Sequence, residues 1–137
     1  MDNRNIIMNH YTSSPYKKDF NPDLNYQKIE TKSDSCIDHL NIYVKFENNI
    51  LKDAYFNGEA CAIATSSCSI LLKNCLNKTI SEIVEYIKNF DNMVNGKDFN
   101  LEELKEAIVF KEIVRQGHRK TCAYLPYQGL KKLIDKR

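Results

Sequence analysis

The 137-residue sequence has little net charge, no long apolar run, no internal repeat and no closely spaced cysteine pair. Lysine and arginine total 20 against 18 acidic residues, a formal balance of +2. That argues against general nucleic-acid binding, for which a basic excess is expected. No stretch approaches the roughly 18 apolar residues of a membrane span. The opening Met-Asp-Asn-Arg-Asn lacks the basic start and apolar core of a secretory signal, so a cytoplasmic location is expected. In that compartment five cysteines are expected as thiols or metal ligands rather than disulfides. No linker divides the chain, and residues 1–137 are expected to form one domain. That length supports a core without disulfides or a metal as mandatory staples.

Three of the cysteines stand beside pattern boundaries. Cys36 and Asp38 lie in Ser35-Cys-Ile-Asp, Cys61 in Gly58-Glu-Ala-Cys-Ala-Ile, and Cys122 in Arg119-Lys-Thr-Cys. Three thiolates and one carboxylate make a complete tetrahedral shell for zinc, or the ligands of an iron–sulfur unit. Cys36 and Asp38 are two apart at a strand entrance, so both side chains are expected on one face. Cys61 is expected in a loop that Gly58 makes flexible. Cys122 is expected at the start of the last helix, where backbone amides and the dipole would lower its pKa. Arg115, His118, Arg119 and Lys120 would offset the negative charge of such a cluster. Spacing alone is not specific, because buried cysteines often serve only as small packing residues. Cys68 and Cys75, seven apart on one helix face, fit that packing role. His39 fits a surface strand position and His118 a loop position.

The strongest strand signal runs from Asp38 to Glu47. There Leu40, Ile42, Val44 and Phe46 alternate with His39, Asn41, Tyr43 and Lys45, the period of a half-buried strand. Asn48-Asn49 supplies a turn and Ile50 to Phe56 the returning strand. Tyr26 to Lys32 is a weaker, edge-strand candidate. Residues 1–25 read as a short helix or turn followed by a loop.

Beyond Gly58 the period becomes helical. Helices are expected over Ser66–Leu76 and from Ile80 to about Phe90, the second opened by a Thr79/Glu82 capping box. Asn100 and Glu103 repeat the cap pattern, and Gly117 is expected to end that segment or the irregular stretch after it. A last helix runs through Leu125, Leu130, Leu133 and Ile134, with Pro126 near its first turn. Strands first and helices after predict an α+β fold in two layers, with an antiparallel sheet.

The motifs resemble those of the U-type iron–sulfur cluster assembly proteins, the IscU/SufU/NifU N-terminal family, over nearly the whole chain. Ile6-Ile-Met-Asn-His-Tyr is similar to that family's opening helix. Ser35-Cys36-Ile37-Asp38 resembles its Cys-Gly-Asp motif, and Gly58-Glu-Ala-Cys61-Ala-Ile its Gly-x-Gly-Cys-Ala-Ile segment. Arg119-Lys-Thr-Cys122 resembles its third cysteine motif. Ile37 and Ala60 stand where the family has glycine. The resemblance implies a SufE/NifU-like fold, a small antiparallel three-stranded sheet packed on helices.

Two features resemble the SufU-like branch: the long Val94–His118 segment between Cys61 and Cys122, and Thr121 where scaffold-type members carry histidine. That branch implies a zinc-dependent sulfur acceptor in iron–sulfur cluster assembly. It receives persulfide sulfur from a pyridoxal-phosphate cysteine desulfurase of the SufS kind and serves downstream cluster assembly proteins. Cys36 would be the acceptor; Cys36, Asp38, Cys61 and Cys122 would hold zinc; Arg119 would steady the site or meet the desulfurase. The alternative is a scaffold on which a [2Fe–2S] cluster is built at the same ligands. If the protein turns over, it does so as a sulfurtransferase; as a scaffold it is not an enzyme.

Overall fold

Three antiparallel strands in the order β1-β2-β3 form the sheet: Gln27–Lys32, His39–Glu47 and Ile50–Glu59. The computed structural model describes residues 3–19, 25–32 and 38–137, without the side chains of Val114 and His118. Alternation sends Leu40, Ile42 and Val44 into the core, where they meet Leu51, Ala54 and Phe56 of β3. Leu51 and Ala54 are three apart, yet both point inward. A bulge explains this: Phe46 pairs with Leu51 and Lys45 with Asp53, so Lys52 is the extra residue that resets the parity. On the outer face Tyr43 and Tyr55 stack with ring centroids 4.9 Å apart.

The β2–β3 hairpin closes at Asn48 and Asn49, whose φ values of 53° and 63° are those demanded by the favoured two-residue hairpin turns. β3 continues to Glu59, three residues beyond the predicted Phe56. Gly58 permits this extension. It has φ +116°, and a Cβ at this position would lie 2.2 Å from the His39 carbonyl oxygen. Gly58 is therefore a strand residue pressed against β2 and not the hinge of a flexible loop.

Helices α1 (Asn3–Thr12), α2 (Ala62–Cys75), α3 (Ile80–Val94), α4 (Leu101–Leu104) and α5 (Gly117–Asp135) complete the architecture. It is the α+β arrangement of a three-stranded antiparallel sheet packed with helices that the pattern predicts. α2 packs on β3, and α5 packs on β1, β2 and α2. α2 starts four residues earlier than predicted because its first turns, Ala64-Thr-Ser-Ser67, are buried all round and carry no amphipathic stripe. The Thr79/Glu82 capping box forms as predicted. α3 runs four residues past Phe90.

Asn100 accepts from the amides of Glu102 and Glu103 and caps only the four residues of α4. Tight 3₁₀ turns over Lys105–Phe110 and Ile113–Arg115 follow. Gly117 begins α5 instead of ending the preceding segment. Pro126 lies inside α5, beyond the first turn predicted for it. α1 is fastened to this frame by His10, whose Nδ1 lies 2.7 Å from Ser69 Oγ and whose Nε2 lies 3.1 Å from Glu106 Oε1. Lys73 Nζ donates to the same Glu106 oxygen at 2.7 Å.

Candidate metal centre

One end of the sheet gathers side chains from three elements. Asp38 immediately precedes β2, Cys61 joins β3 to α2, and Cys122 lies on α5. One ligand atom from each lies within 4.8 Å of the others. Cys36 falls outside the described residues, so three of the four predicted ligands are placed, and those three converge. Asp38 is 2% and Cys122 2% exposed, whereas Cys61 is half-buried.

Each position has a local cause. With β3 running to Glu59, only Ala60 separates the strand from Cys61, and Cys61 becomes the N-cap of α2. Its Sγ accepts from the Ala64 amide at 3.4 Å, the role a serine or aspartate oxygen usually fills. Asp38 Oδ1 accepts the Cys61 amide at 2.7 Å, which turns Oδ2 toward Cys61 Sγ at 3.6 Å. A tetrahedral zinc with its usual bond lengths to sulfur and oxygen has ligand edges of about 3.6 Å between S and O and about 3.8 Å between two S atoms. The Asp38–Cys61 distance matches such an edge and the donor set suits zinc, so Asp38, Cys61 and Cys122 could hold such an ion.

Cys122 occupies the second turn of α5 and not the helix start. Its thiol is not activated by the dipole. Burial, followed by the Asp38 carboxylate and the Cys61 thiol beside it, pushes its pKa well above the ordinary value. Two thiols and a carboxylate held this close oppose ionisation unless a cation joins them.

A cleft opens beside Cys61 and Cys122, lined by Arg4, Ile7, Met8, Ala62, Ile63 and Arg119. Arg119 thus lines the cleft beside the two cysteines. Arg4 is one that sequence reasoning missed. The signal was present in the i, i+3, i+4 spacing of Arg4, Ile7 and Met8, which puts them on one face of α1. His39 stays apart from the cluster, 3.5 Å from Glu30 Oε1 on the outer sheet face, as its surface assignment implies. Cys68 and Cys75 are fully buried in the core, and burial pushes both thiols far above their ordinary pKa, in keeping with a packing role.

Such a fold, with an acid and two thiols at one sheet end, defines a small α+β protein with a thiol-rich candidate metal site. Residues 2–123 match the NifU-like N terminal domain, and the chain belongs to that family. An iron–sulfur cluster assembly scaffold protein IscU from Thermotoga maritima is 31% identical over 107 residues, 78% of this chain and 75% of that protein. The zinc-dependent sulfurtransferase SufU of Bacillus subtilis is 26% identical over 134 residues, 97% of this chain and 89% of that one.

A crystal structure from Fervidobacterium islandicum, of a candidate iron–sulfur cluster assembly scaffold protein for the SUF system, superposes with TM-score 0.86. It is 27% identical, covering 94% of this chain and 93% of that one. A NifU-like N-terminal domain from Brucella abortus shares the fold, with TM-score 0.81 at 16% identity over 96% of this chain and 90% of that one.

Proposed function

We propose that this protein is a zinc-dependent sulfur acceptor in iron–sulfur cluster assembly, supplied by a cysteine desulfurase. The observation that carries the reading is the convergence of Asp38, Cys61 and Cys122 within 4.8 Å, with Cys36 two residues from Asp38 as the fourth ligand and acceptor. The near-complete match to a zinc-dependent sulfurtransferase, 97% of this chain, supports zinc. The 94–118 segment, present here as α4 and the 3₁₀ turns, supports the same branch.

Zinc, when bound, keeps the site thiols deprotonated and shielded until a partner arrives. The Cys36 thiolate attacks the outer sulfur of the donor's persulfide. The donor's S–S bond breaks, its cysteine leaves as thiolate, and the sulfur remains on Cys36 as a new persulfide, with no net oxidation. Asp38 is a hard ligand among soft ones, so it is the ligand most readily exchanged. One of its oxygens accepts the Cys61 amide, a bond that would keep the carboxylate in register if the other oxygen exchanged at a bound ion. Arg119 and Arg4 flank the cleft where an incoming anionic sulfur would be received.

A second reading, a scaffold for a [2Fe–2S] cluster at the same ligands, is favoured by the 31% identity to the Thermotoga scaffold protein. Purification without oxygen separates the two. A colourless protein with about one zinc per chain, which stimulates a cysteine desulfurase and loses that stimulation in Cys36→Ala, is the expected result. A stable brown iron–sulfide chromophore would overturn the acceptor reading in favour of the scaffold.

A further inference from the structure

α5 carries Cys122 on one face and a separate feature on the other. Lys131 follows Cys122 by two and a half helical turns, which sets the two on opposite sides of the helix. On the side away from Cys122, α5 lies against α3. The two helices run antiparallel: the Tyr124 hydroxyl donates to Asp91 Oδ1, and Lys120 Nζ donates to Asn95 Oδ1 at 3.1 Å. Between them is a groove of about 490 Å³.

The floor of this groove is apolar, made by Val84 and Ile87 of α3 and by the rings of Tyr124 and Tyr127 of α5. Tyr127 is fully buried, whereas Val84 and Tyr124 are only half-buried. The rim is basic, with Lys88 on the α3 side and Lys131 and Lys132 on the α5 side. Asp91 is the one acid among the lining residues, and its Oδ1 already accepts from Tyr124 and from Asn95 Nδ2. Lys131 is paired with Asp135 at 2.9 Å. Lys88 and Lys132 are exposed, and among the described residues neither makes an ion pair. The chain as a whole is balanced to +2, so three lysines around one apolar groove are a local concentration of charge.

The geometry points to a docking groove for an acidic amphipathic helix of another protein. Apolar side chains at i, i+3 and i+4 of that helix would cover Val84 and Tyr124, and flanking carboxylates would meet Lys88 and Lys132. Val84 to Asp91 spans about 10 Å along α3, two turns of the helix it would receive. A partner seated here leaves the cleft beside Cys61 and Cys122 open, because the two lie on opposite faces of α5. The groove contains none of the proposed metal ligands, so the inference stands whether or not those ligands hold zinc.

The probe is a fluorescein-labelled synthetic peptide of about 14 residues, four helical turns, with leucine at i, i+3, i+4 and i+7 and glutamate around them. One control scrambles its sequence; a second replaces each glutamate by lysine. Binding to the full chain is followed by fluorescence anisotropy, and the occupied surface is located by amide shifts in NMR spectra. The acidic peptide is expected to bind, with shifts centred on Lys88, Gln128 and Lys132 and none at Cys61 or Cys122. Reversing both exposed lysines, Lys88→Glu with Lys132→Glu, should weaken it about tenfold, the worth of two exposed charge pairs, with folding by circular dichroism unchanged. Val84→Ser should weaken it through the lost apolar contact while leaving its salt dependence as before.

No binding of the acidic peptide, equal binding of either control, or undiminished binding to the doubly reversed variant would overturn the inference. Equally tight binding of a thymidine oligonucleotide, lost in the same variant, would also overturn it by making the groove a general polyanion surface. Self-association of the chain that the variant abolishes would overturn it in favour of a second copy as the occupant.

Discussion

The two ends of the β2–β3 hairpin are built to opposite ends. At the turn, the backbone geometry has a local answer. Asn48 and Asn49 supply the left-handed backbone. The loop after α2 then knits onto the hairpin through backbone bonds from Leu51 N to Lys78 O, Asn77 N to Leu51 O and Ile80 N to Asn49 O. At the opposite end, Asp38, Cys61 and Cys122 crowd acid and thiols that disfavour one another's ionisation. Their crowding contributes little to stability unless a cation is shared among them. One end of the same hairpin serves folding, and the other crowds groups at a cost that the proposed metal-binding role would offset.

Four substitutions sharpen or break this contrast. The largest effect is expected for Cys122→Ala, which should lower zinc content from about one per chain to near zero by metal analysis of the dialysed protein. Retention of full zinc would show that Cys122 only packs. Gly58→Ala comes next. A side chain there meets the His39 carbonyl and must adopt a φ suited to glycine, so a loss of about 3 kcal/mol is expected by denaturant unfolding. Because His39 adjoins Asp38, weakened zinc binding should accompany that loss.

At the turn end, Asn49→Ala should cost about 1 kcal/mol through its left-handed φ and leave zinc stoichiometry unchanged. A loss of zinc there would dissolve the distinction between the two ends. The smallest effect concerns the clasp that fastens α1. Burial works to raise the Glu106 pKa, but Lys73 and His10 outweigh it and hold the carboxyl below its ordinary range. A depressed pKa means that Glu106 contributes stability above the unfolded carboxyl pKa of about 4.3, which is lost as pH falls through the folded value. Glu106→Gln should therefore be less stable at neutral pH, with a flatter acid limb in thermal unfolding against pH. An unchanged acid limb would remove Glu106 from that role.

Much of the fold was legible because its signals are local. The alternation of Leu40, Ile42 and Val44, the Asn-Asn turn, and the Thr79/Glu82 box each describe a few adjacent residues and their own backbone. The three converging residues Asp38, Cys61 and Cys122 were singled out through motifs, and the two packing cysteines through their helical spacing. What escaped was decided by tertiary contact. From Ala64 on the start of α2 is buried on every side, so Ala64 to Ser67 show no stripe to read. Gly58 extends β3 only because β2 presses on it, a contact that no local pattern records. Pro126 sits inside α5 because packing against α2 and the sheet outweighs the hydrogen bond it removes. That same misplacement hid the true setting of Cys122: a buried second turn where ionisation is disfavoured, in place of a helix start that favours the thiolate.

In the proposed function, Asp38 and the site cysteines hold zinc at the thiol-rich end of the hairpin. X-ray absorption at the zinc edge of the metal-loaded protein tests it most directly. The account predicts a first shell dominated by sulfur at about 2.3 Å with one oxygen near 2.0 to 2.2 Å, and loss of sulfur scattering in Cys61→Ala and Cys122→Ala. A first shell of nitrogen and oxygen alone, unchanged in those variants, would contradict it.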